Sequence, residues 1–209
     1  MITASEALLK LKEGNKRFVS GVRSIDMLVK QMQKEQFVEG QAPFAVILGC
    51  SDSRVPAEIV FDQGLGDLFV IRVAGNIVAP SQIGSVEFAT ELFGSPLVIV
   101  LGHSMCGAVK ETLNDLEQPS ETHSSNVLSI VNRIRPTVEP LFRTELRNKP
   151  DALLAASIRA NILASVNHLQ HGSQKLESLI AEGKLSIVGA EYSLQTGEVD
   201  FFDGASPQA

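Results

Sequence analysis

Short, continuous apolar runs constrain the fold of this chain more than any other feature of its sequence. The clearest examples cover residues 44–49 and 97–102, and we also predict strands over residues 67–73 and 185–192. Strands that are apolar on both faces are typical of parallel sheets with helices on each side. We therefore predict an α/β fold with a mostly parallel central sheet flanked by helices. Gln195-Thr196-Gly197 predicts a turn into an antiparallel edge strand at the C-terminus, over residues 198–202.

The segments between the strands are predicted to be helical. Thr3 and Glu6 have the spacing of a capping box at the start of the first helix. Predicted helices cover residues 4–19, 25–38, 81–93, 104–116, 151–172 and 173–182, and helical segments up to residue 148 are interrupted at Pro136 and Pro140. A chain of 209 residues without an internal repeat predicts a single domain over residues 1–209.

The two N-terminal helices, within residues 1–38, would be only marginally stable if they lay alone on the surface. We therefore predict that they form a helical arm that packs on a partner subunit.

Composition excludes several classes of partner. The formal net charge of −6 argues against binding to nucleic acid or to an anionic membrane surface. No apolar run is long enough to span a bilayer, and residues 1–6 have neither the basic lead nor the apolar core of a signal peptide. We therefore expect a cytoplasmic protein, in which two cysteines favour metal binding or catalysis over a disulfide.

The two cysteines of the chain follow two of the apolar runs. Cys50 comes directly after the run at residues 44–49, and His103 and Cys106 come after the run at residues 97–102. Because ligands bind beyond the carboxyl ends of parallel strands, these side chains are expected to meet. Two thiolates and one imidazole are typical zinc ligands. Ser104 is predicted to cap the next helix, whose dipole would favour the thiolate form of Cys106.

Two other interpretations of the cysteines stay open. They could be buried, inert thiols, but Asp52, Arg54 and His103 would then be clustered without a purpose. They could instead form a redox-active dithiol pair, which would not need His103. Zinc analysis combined with thiol titration separates these interpretations.

Asp52 and Arg54 lie between a predicted zinc ligand and the start of a predicted helix. Asp52 can act as a fourth zinc ligand and close the site, with Arg54 offsetting the added negative charge. It can also pair with Arg54, leave the fourth position to water, and accept a hydrogen bond from a zinc-bound hydroxide. The electron-rich ligand set predicts that activity rises with pH on the alkaline side of neutrality.

Three segments carry a resemblance to a known family. They are Cys50-Ser51-Asp52-Ser53-Arg54-Val55-Pro56, Arg72-Val73-Ala74-Gly75-Asn76 and Gly102-His103-Ser104-Met105-Cys106-Gly107-Ala108. Together they resemble the β-class carbonic anhydrases, and the resemblance extends over most of the chain. It implies a zinc enzyme that reversibly hydrates carbon dioxide to bicarbonate and a proton, and that assembles as a homodimer or a homotetramer.

The resemblance also implies roles for individual residues. Cys50, His103 and Cys106 would bind zinc, and Asp52 and Arg54 would form a gating pair. The residues that would hold or surround the substrate are Gln41, Phe69, Phe88 and Gly107, with Gln41 donating a hydrogen bond and the two aromatic rings lining an apolar pocket. Core packing is the alternative interpretation of both rings, and an ordinary loop amide is the alternative for Gln41.

The chain departs from the family at two positions. Val73 stands where many relatives have asparagine, and Ile47 stands where members regulated by bicarbonate have tryptophan. Arg72 and Tyr192 still match other positions of that regulatory site, so bicarbonate regulation stays open. Two rival functions also stay open, namely hydrolysis of carbonyl sulfide or carbon disulfide by the same ligands, and a non-catalytic zinc-binding scaffold.

Overall fold

The computed structural model describes residues 2–24, 40–119 and 123–202. Its strands are β1 (Ala45–Gly49), β2 (Leu68–Arg72), β3 (Leu97–His103), β4 (Ser186–Tyr192) and β5 (Val199–Phe202). Its α-helices are α1 (Ala4–Ser20), α2 (Ala57–Val60), α3 (Pro80–Leu92), α4 (Gly107–Glu117), α5 (Ser125–Phe142), α6 (Pro150–His171) and α7 (Gln174–Ala181). Short 3₁₀ turns cover Ala74–Asn76 and Glu145–Asn148.

The five strands form one sheet in the order β2-β1-β3-β4-β5. The β1–β2, β1–β3 and β3–β4 pairs are parallel, and β5 is antiparallel to β4. The predicted α/β architecture, including the antiparallel C-terminal edge strand, is therefore confirmed. Strand β2 lies on one side of β1, and the next strand in the chain, β3, lies on the other side. This reversal of strand order creates a topological switch point beyond the carboxyl ends of β1 and β3.

Alternate residues of the central strands supply two separate cores. Val46 and Leu48 of β1 pack with α3 to α7 on one face, whereas Ala45 and Ile47 pack with α1 and α2 on the other. This period of two is inherent in the pleat of a strand. It directs the side chain of Cys50, two residues after Leu48, to the same face as the α4 helix that follows Cys106.

The first helix begins as predicted and then docks on its own sheet. The hydroxyl of Thr3 accepts a hydrogen bond from the amide of Glu6, whose carboxylate accepts one from the amide of Thr3 at 2.7 Å. The apolar face of α1 is buried against the second core, with Leu8 5% exposed and Leu11 fully buried. The second predicted helix, over residues 25–38, lies outside the described residues, so the packing of an arm on a partner stays a prediction.

Two prolines that were expected to interrupt the chain instead lie inside one helix. Pro136 and Pro140 both fall within α5, so the predicted interruptions are wrong. A proline removes a backbone donor and usually bends or breaks a helix. Here α5 buries Val131, Ile134 and Val138 between its neighbours, and this tertiary packing outweighs the local preference.

No helix in the described ranges is both long enough and apolar enough to cross a membrane.

Asn15 joins three elements through one buried amide. Its Nδ2 donates to the carbonyls of Val60 and Gly197, at 3.1 and 2.9 Å, and its Oδ1 accepts from the amide of Val199 at 2.9 Å. The preceding Gly14 lies so close to α2 that a Cβ at this position would stand 1.8 Å from the carbonyl oxygen of Phe61. Backbone contact at Gly14 and hydrogen bonding by Asn15 therefore fix α1 against the sheet.

Replacement of Asn15 by alanine should lower the free energy of unfolding by about 3 kcal/mol, because it leaves buried backbone groups without partners. Urea unfolding at a fixed protein concentration measures this change. Glu13→Ala, at an exposed position of the same helix, is the control and should change stability by no more than about 0.5 kcal/mol. Equal effects of the two substitutions would contradict the role of Asn15.

Candidate metal centre

The carboxyl ends of β1 and β3 bring the three predicted ligands together. Cys50 follows β1 and His103 ends β3, and these strands are direct neighbours with Gly49 opposite Leu101. Met105 has a φ of +60°, and this left-handed residue turns the chain so that Cys106 faces back towards His103. One donor atom each from Cys50, His103 and Cys106 lies within 4.8 Å of the others, and all three residues are buried.

The protonation state of His103 is set by its backbone contact. Its Nδ1 lies 2.9 Å from the carbonyl oxygen of Ser104, which can only accept, so Nδ1 carries the proton. In the neutral imidazole Nε2 is then left with a lone pair, and it is buried without a hydrogen-bond partner among the residues that the structure describes. A fully buried imidazole with an unpartnered acceptor is costly unless something binds it. A metal ion that accepts this lone pair fits the site.

The two thiols are free and close enough to influence each other. Interaction with the Cys106 thiol lowers the pKa of Cys50 to about 4, against the opposing effect of burial. The pKa of Cys106 is raised, because its neighbour Cys50 holds the negative charge and because the thiol is buried. The pair therefore favours a single charge, and a divalent cation would release the second proton by stabilising both thiolates. This donor set, with two sulfurs and one imidazole, suits zinc.

Asp52 pairs with Arg54 beside these donors. The guanidinium donates to both carboxylate oxygens of Asp52, with Nε–Oδ1 at 2.9 Å and Nη2–Oδ2 at 2.8 Å, and the Arg54 amide donates to Oδ1 at 3.0 Å. Arg54 thereby holds the pKa of Asp52 well below its usual range. The Oδ2 atom of Asp52 lies 3.9 Å from Nε2 of His103, so the ion pair faces the donor cluster. In this arrangement the carboxylate is committed to Arg54, and its predicted role as a ligand stays a prediction.

Arg72 fixes the loop that carries Cys50 and Asp52. Its Nε donates to the carbonyl of Cys50 at 3.1 Å, and its Nη2 donates to the carbonyl of Asp52 at 2.6 Å. The family resemblance assigns Arg72 only to a regulatory site. Its position at the end of β2, next to Gly49 of β1, is the signal that could have indicated this supporting role.

Gly75 is a second supporting residue that the sequence analysis did not single out. Its amide points at the sulfur of Cys50, 3.4 Å away, and its φ of +69° lies in the left-handed region. A Cβ at this position would stand 2.8 Å from Cδ1 of Ile134. Glycine therefore permits both the backbone conformation and the close packing that aim this amide at the sulfur.

Ser104 does not cap the helix that follows it, so that prediction is wrong. The N-cap of α4 is Cys106 itself, and no side chain caps the helix there. The Ser104 hydroxyl instead accepts a hydrogen bond from the amide of Leu194 at 2.9 Å. The left-handed turn at Met105 moves the helix start two residues further along the chain and frees Ser104 to hold the β4–β5 connection.

The predicted substrate residues do not all lie near the donor cluster within one chain. Phe69 pairs in register with Val46, four residues before Cys50, which is about 13 Å along a strand. Its ring packs with Phe88 and Phe93 at centroid distances of 6.2 and 6.0 Å, and Phe88 is 49% exposed. Gln41 is also exposed. The roles of these residues in a substrate pocket stay predictions.

Gly107 adjoins the donor cluster, whereas Ile47 and Tyr192 lie in the core on the opposite face of the sheet. Gly107 is exposed and begins α4, directly after Cys106. Ile47 is fully buried in the core on the sheet face opposite Cys50, together with Tyr192. Bicarbonate regulation through Arg72 and Tyr192 stays a prediction.

Comparison with known proteins agrees with this geometry. The family model for carbonic anhydrase matches residues 45–199. A carbonic anhydrase of Mycolicibacterium smegmatis is 40% identical over 190 residues, covering 91% of this chain and 89% of that protein. The structure of the β-carbonic anhydrase CcaA is similar at a TM-score of 0.76 and 28% identity, covering 98% of this chain and 93% of that one. Two tetrameric β-carbonic anhydrases from Sordaria macrospora share the fold at a TM-score of 0.71 and 23% identity, over 81% of this chain and 85% of the other.

The family model covers the three ligand candidates and the four parallel strands β1 to β4. The chain therefore belongs to the β-class carbonic anhydrase family, whose members are lyases that hydrate carbon dioxide.

Proposed function

We propose that this protein catalyses the reversible hydration of carbon dioxide to bicarbonate and a proton, with zinc held by Cys50, His103 and Cys106. The observation that carries the proposal is the buried Cys-His-Cys cluster with an ionised carboxylate beside it, in a chain of this family. When bound, zinc would supply a water that loses its proton near neutral pH and attacks carbon dioxide.

We assign the positioning of the attacking water to Asp52. Its carboxylate is ionised, is fixed by three donors from Arg54, and faces Nε2 of His103. A carboxylate held in this way can accept a hydrogen bond from a reacting water and orient it. Arg54 keeps Asp52 away from the fourth ligand position, and transfer of Asp52 from Arg54 to the metal would close the site.

Asp52→Asn should reduce kcat/KM for carbon dioxide hydration about 100-fold. The asparagine amide has one acceptor oxygen, so it cannot accept hydrogen bonds from Arg54 and from the reacting water as the two carboxylate oxygens do. Stopped-flow assays with parallel zinc analysis measure this effect. Asp151→Asn, at an exposed position in the first turn of α6, is the matched control and should retain full activity.

Inactive wild-type protein that carries a full complement of zinc would favour the non-catalytic scaffold. Faster turnover of carbonyl sulfide than of carbon dioxide would instead favour the rival hydrolase.

The rate of carbon dioxide hydration should rise with pH between about pH 6 and 9, because the attacking water must lose a proton. Asp52 does not produce this rise. Its folded-state pKa is depressed, so its ion pair with Arg54 contributes fully above the unfolded pKa and is lost only as the pH falls through the lower folded value. A pH–rate profile measured at constant ionic strength tests this prediction, and a flat profile over the range would contradict it.

We further propose that the active protein is a homodimer or a homotetramer. Phe88 and Leu92 lie one helical turn apart on α3 and are 49% and 63% exposed, next to the Phe69–Phe93 ring contact. We propose that a second copy covers this apolar surface. The register of β1 and β2 keeps Phe69 away from the metal centre of its own chain. In an assembly, Gln41, Phe69 and Phe88 of one subunit would instead line the pocket of a second subunit.

The exposed side of α1, or residues 25–38, would supply the arm contact in such an assembly. The two free cysteines suit a reducing compartment, and we extend the proposal to a cytoplasmic location.

Phe88→Asp should shift the molar mass in light scattering from a multiple of the chain mass towards the monomer, because it places a charge in the proposed interface. Val127→Asp, at a residue of α5 that is 42% exposed, is the control and should leave the mass unchanged. A wild-type monomer, or a variant that assembles like the wild type, would refute this interface.

A further inference from the structure

A second polar cleft lies between α5, α6 and the loop after β2, apart from the donor cluster. Its volume is about 270 Å³. Within the described part of the chain its polar lining consists of Asn132 and Arg133 from α5 and Asn161, Ser165 and His168 from α6. None of its described lining residues is acidic, although the chain as a whole carries a net charge of −6.

The positive charge of Arg133 at the rim of this cleft is not neutralised by the described residues around it. Arg133 is exposed, and its Nη1 donates a long hydrogen bond of 3.4 Å to the carbonyl of Val78. It has no carboxylate partner among the described residues. His168, exposed on α6, offers a second donor. Other arginines of the described chain do form ion pairs. Arg135 pairs with Asp115, and Arg143 pairs with Glu139.

The floor of the cleft is fixed before any ligand arrives. Asn161 is 3% exposed and donates from Nδ2 to the carbonyl of Gly75 at 2.8 Å, and Ser165 is 5% exposed and donates to the carbonyl of Asn76 at 3.0 Å. Asn161, Ser165 and His168 are spaced four and three residues apart, so they share one face of α6. A rigid polar floor below the unpaired guanidinium of Arg133 reduces the conformational ordering that ligand binding would require.

From this arrangement we infer that the cleft is a binding site for a small organic oxyanion, either a phosphate ester or a carboxylate. Arg133 would supply paired N–H donors to the oxyanion, and His168 and the amide of Asn132 would supply further donors. At about 270 Å³ the cleft is larger than a single oxyanion, so it has room for an organic group beyond the charged end. The floor residues Asn161 and Ser165 donate hydrogen bonds to the turn whose Gly75 amide contacts Cys50, so the site adjoins the metal centre without sharing its donors.

Isothermal titration calorimetry of the full-length, zinc-loaded protein tests this inference, with phenyl phosphate and succinate as separate probes. At least one probe should bind, and Arg133→Gln and His168→Gln should each raise its Kd, by about tenfold or more for Arg133→Gln. The tighter of the two probes assigns the phosphate or the carboxylate class.

The matched controls are Arg143→Gln and His171→Gln, which remove the same side-chain types from the ends of α5 and α6 outside the cleft, and each should leave Kd within about twofold. Equal effects in cleft and control variants would show general charge attraction and would overturn the site. Binding that none of the four substitutions changes would place the anion at the metal centre, and binding of neither probe at millimolar concentration would also overturn the inference. Thermal melts of the variants confirm that each is folded.

Discussion

The parallel pairing of β1 with β3 is the constraint on which the candidate site depends. It places Gly49 beside Leu101, so Cys50 and His103 leave the sheet at the same edge although more than fifty residues separate them. Both strands are buried on their two faces, and a one-residue slip would turn every side chain to the opposite face. The hydrophobic pattern of the strands therefore fixes the position of the donors more firmly than any contact among the donors themselves.

The polar groups at this edge form a centre that is incomplete by itself. Among the described residues, the buried Nε2 of His103 has no hydrogen-bond partner, and ionisation of one thiol disfavours ionisation of the other. Hydrogen bonds from Arg72 and Gly75 hold the Cys50 segment in place without meeting this need. Such preorganisation favours the binding of a cation, and both supporting residues come from the end of β2 and the turn that follows it.

Most of the architecture could be predicted from local pattern, and the exceptions share a cause. Hydrophobic periodicity predicts the strands and α6, and the spacing of Thr3 and Glu6 predicts the capping box of α1. The prolines of α5 and the position of Ser104 did not follow from local rules. In both cases tertiary contacts, namely the buried face of α5 and the hydrogen bond to Leu194, outweigh the local preference.

The sequence by itself determined the fold class, the ligand types and the strand ends that carry them, because hydrophobic periodicity and side-chain chemistry are local properties. Only the tertiary structure decided which ring nitrogen of His103 carries the proton, that Asp52 is held by Arg54, and that Arg72 supports the Cys50 loop. It also decided that Arg133 faces a cleft shared with α6. Each of these facts depends on distances between groups remote in the chain, and no local pattern encodes such distances.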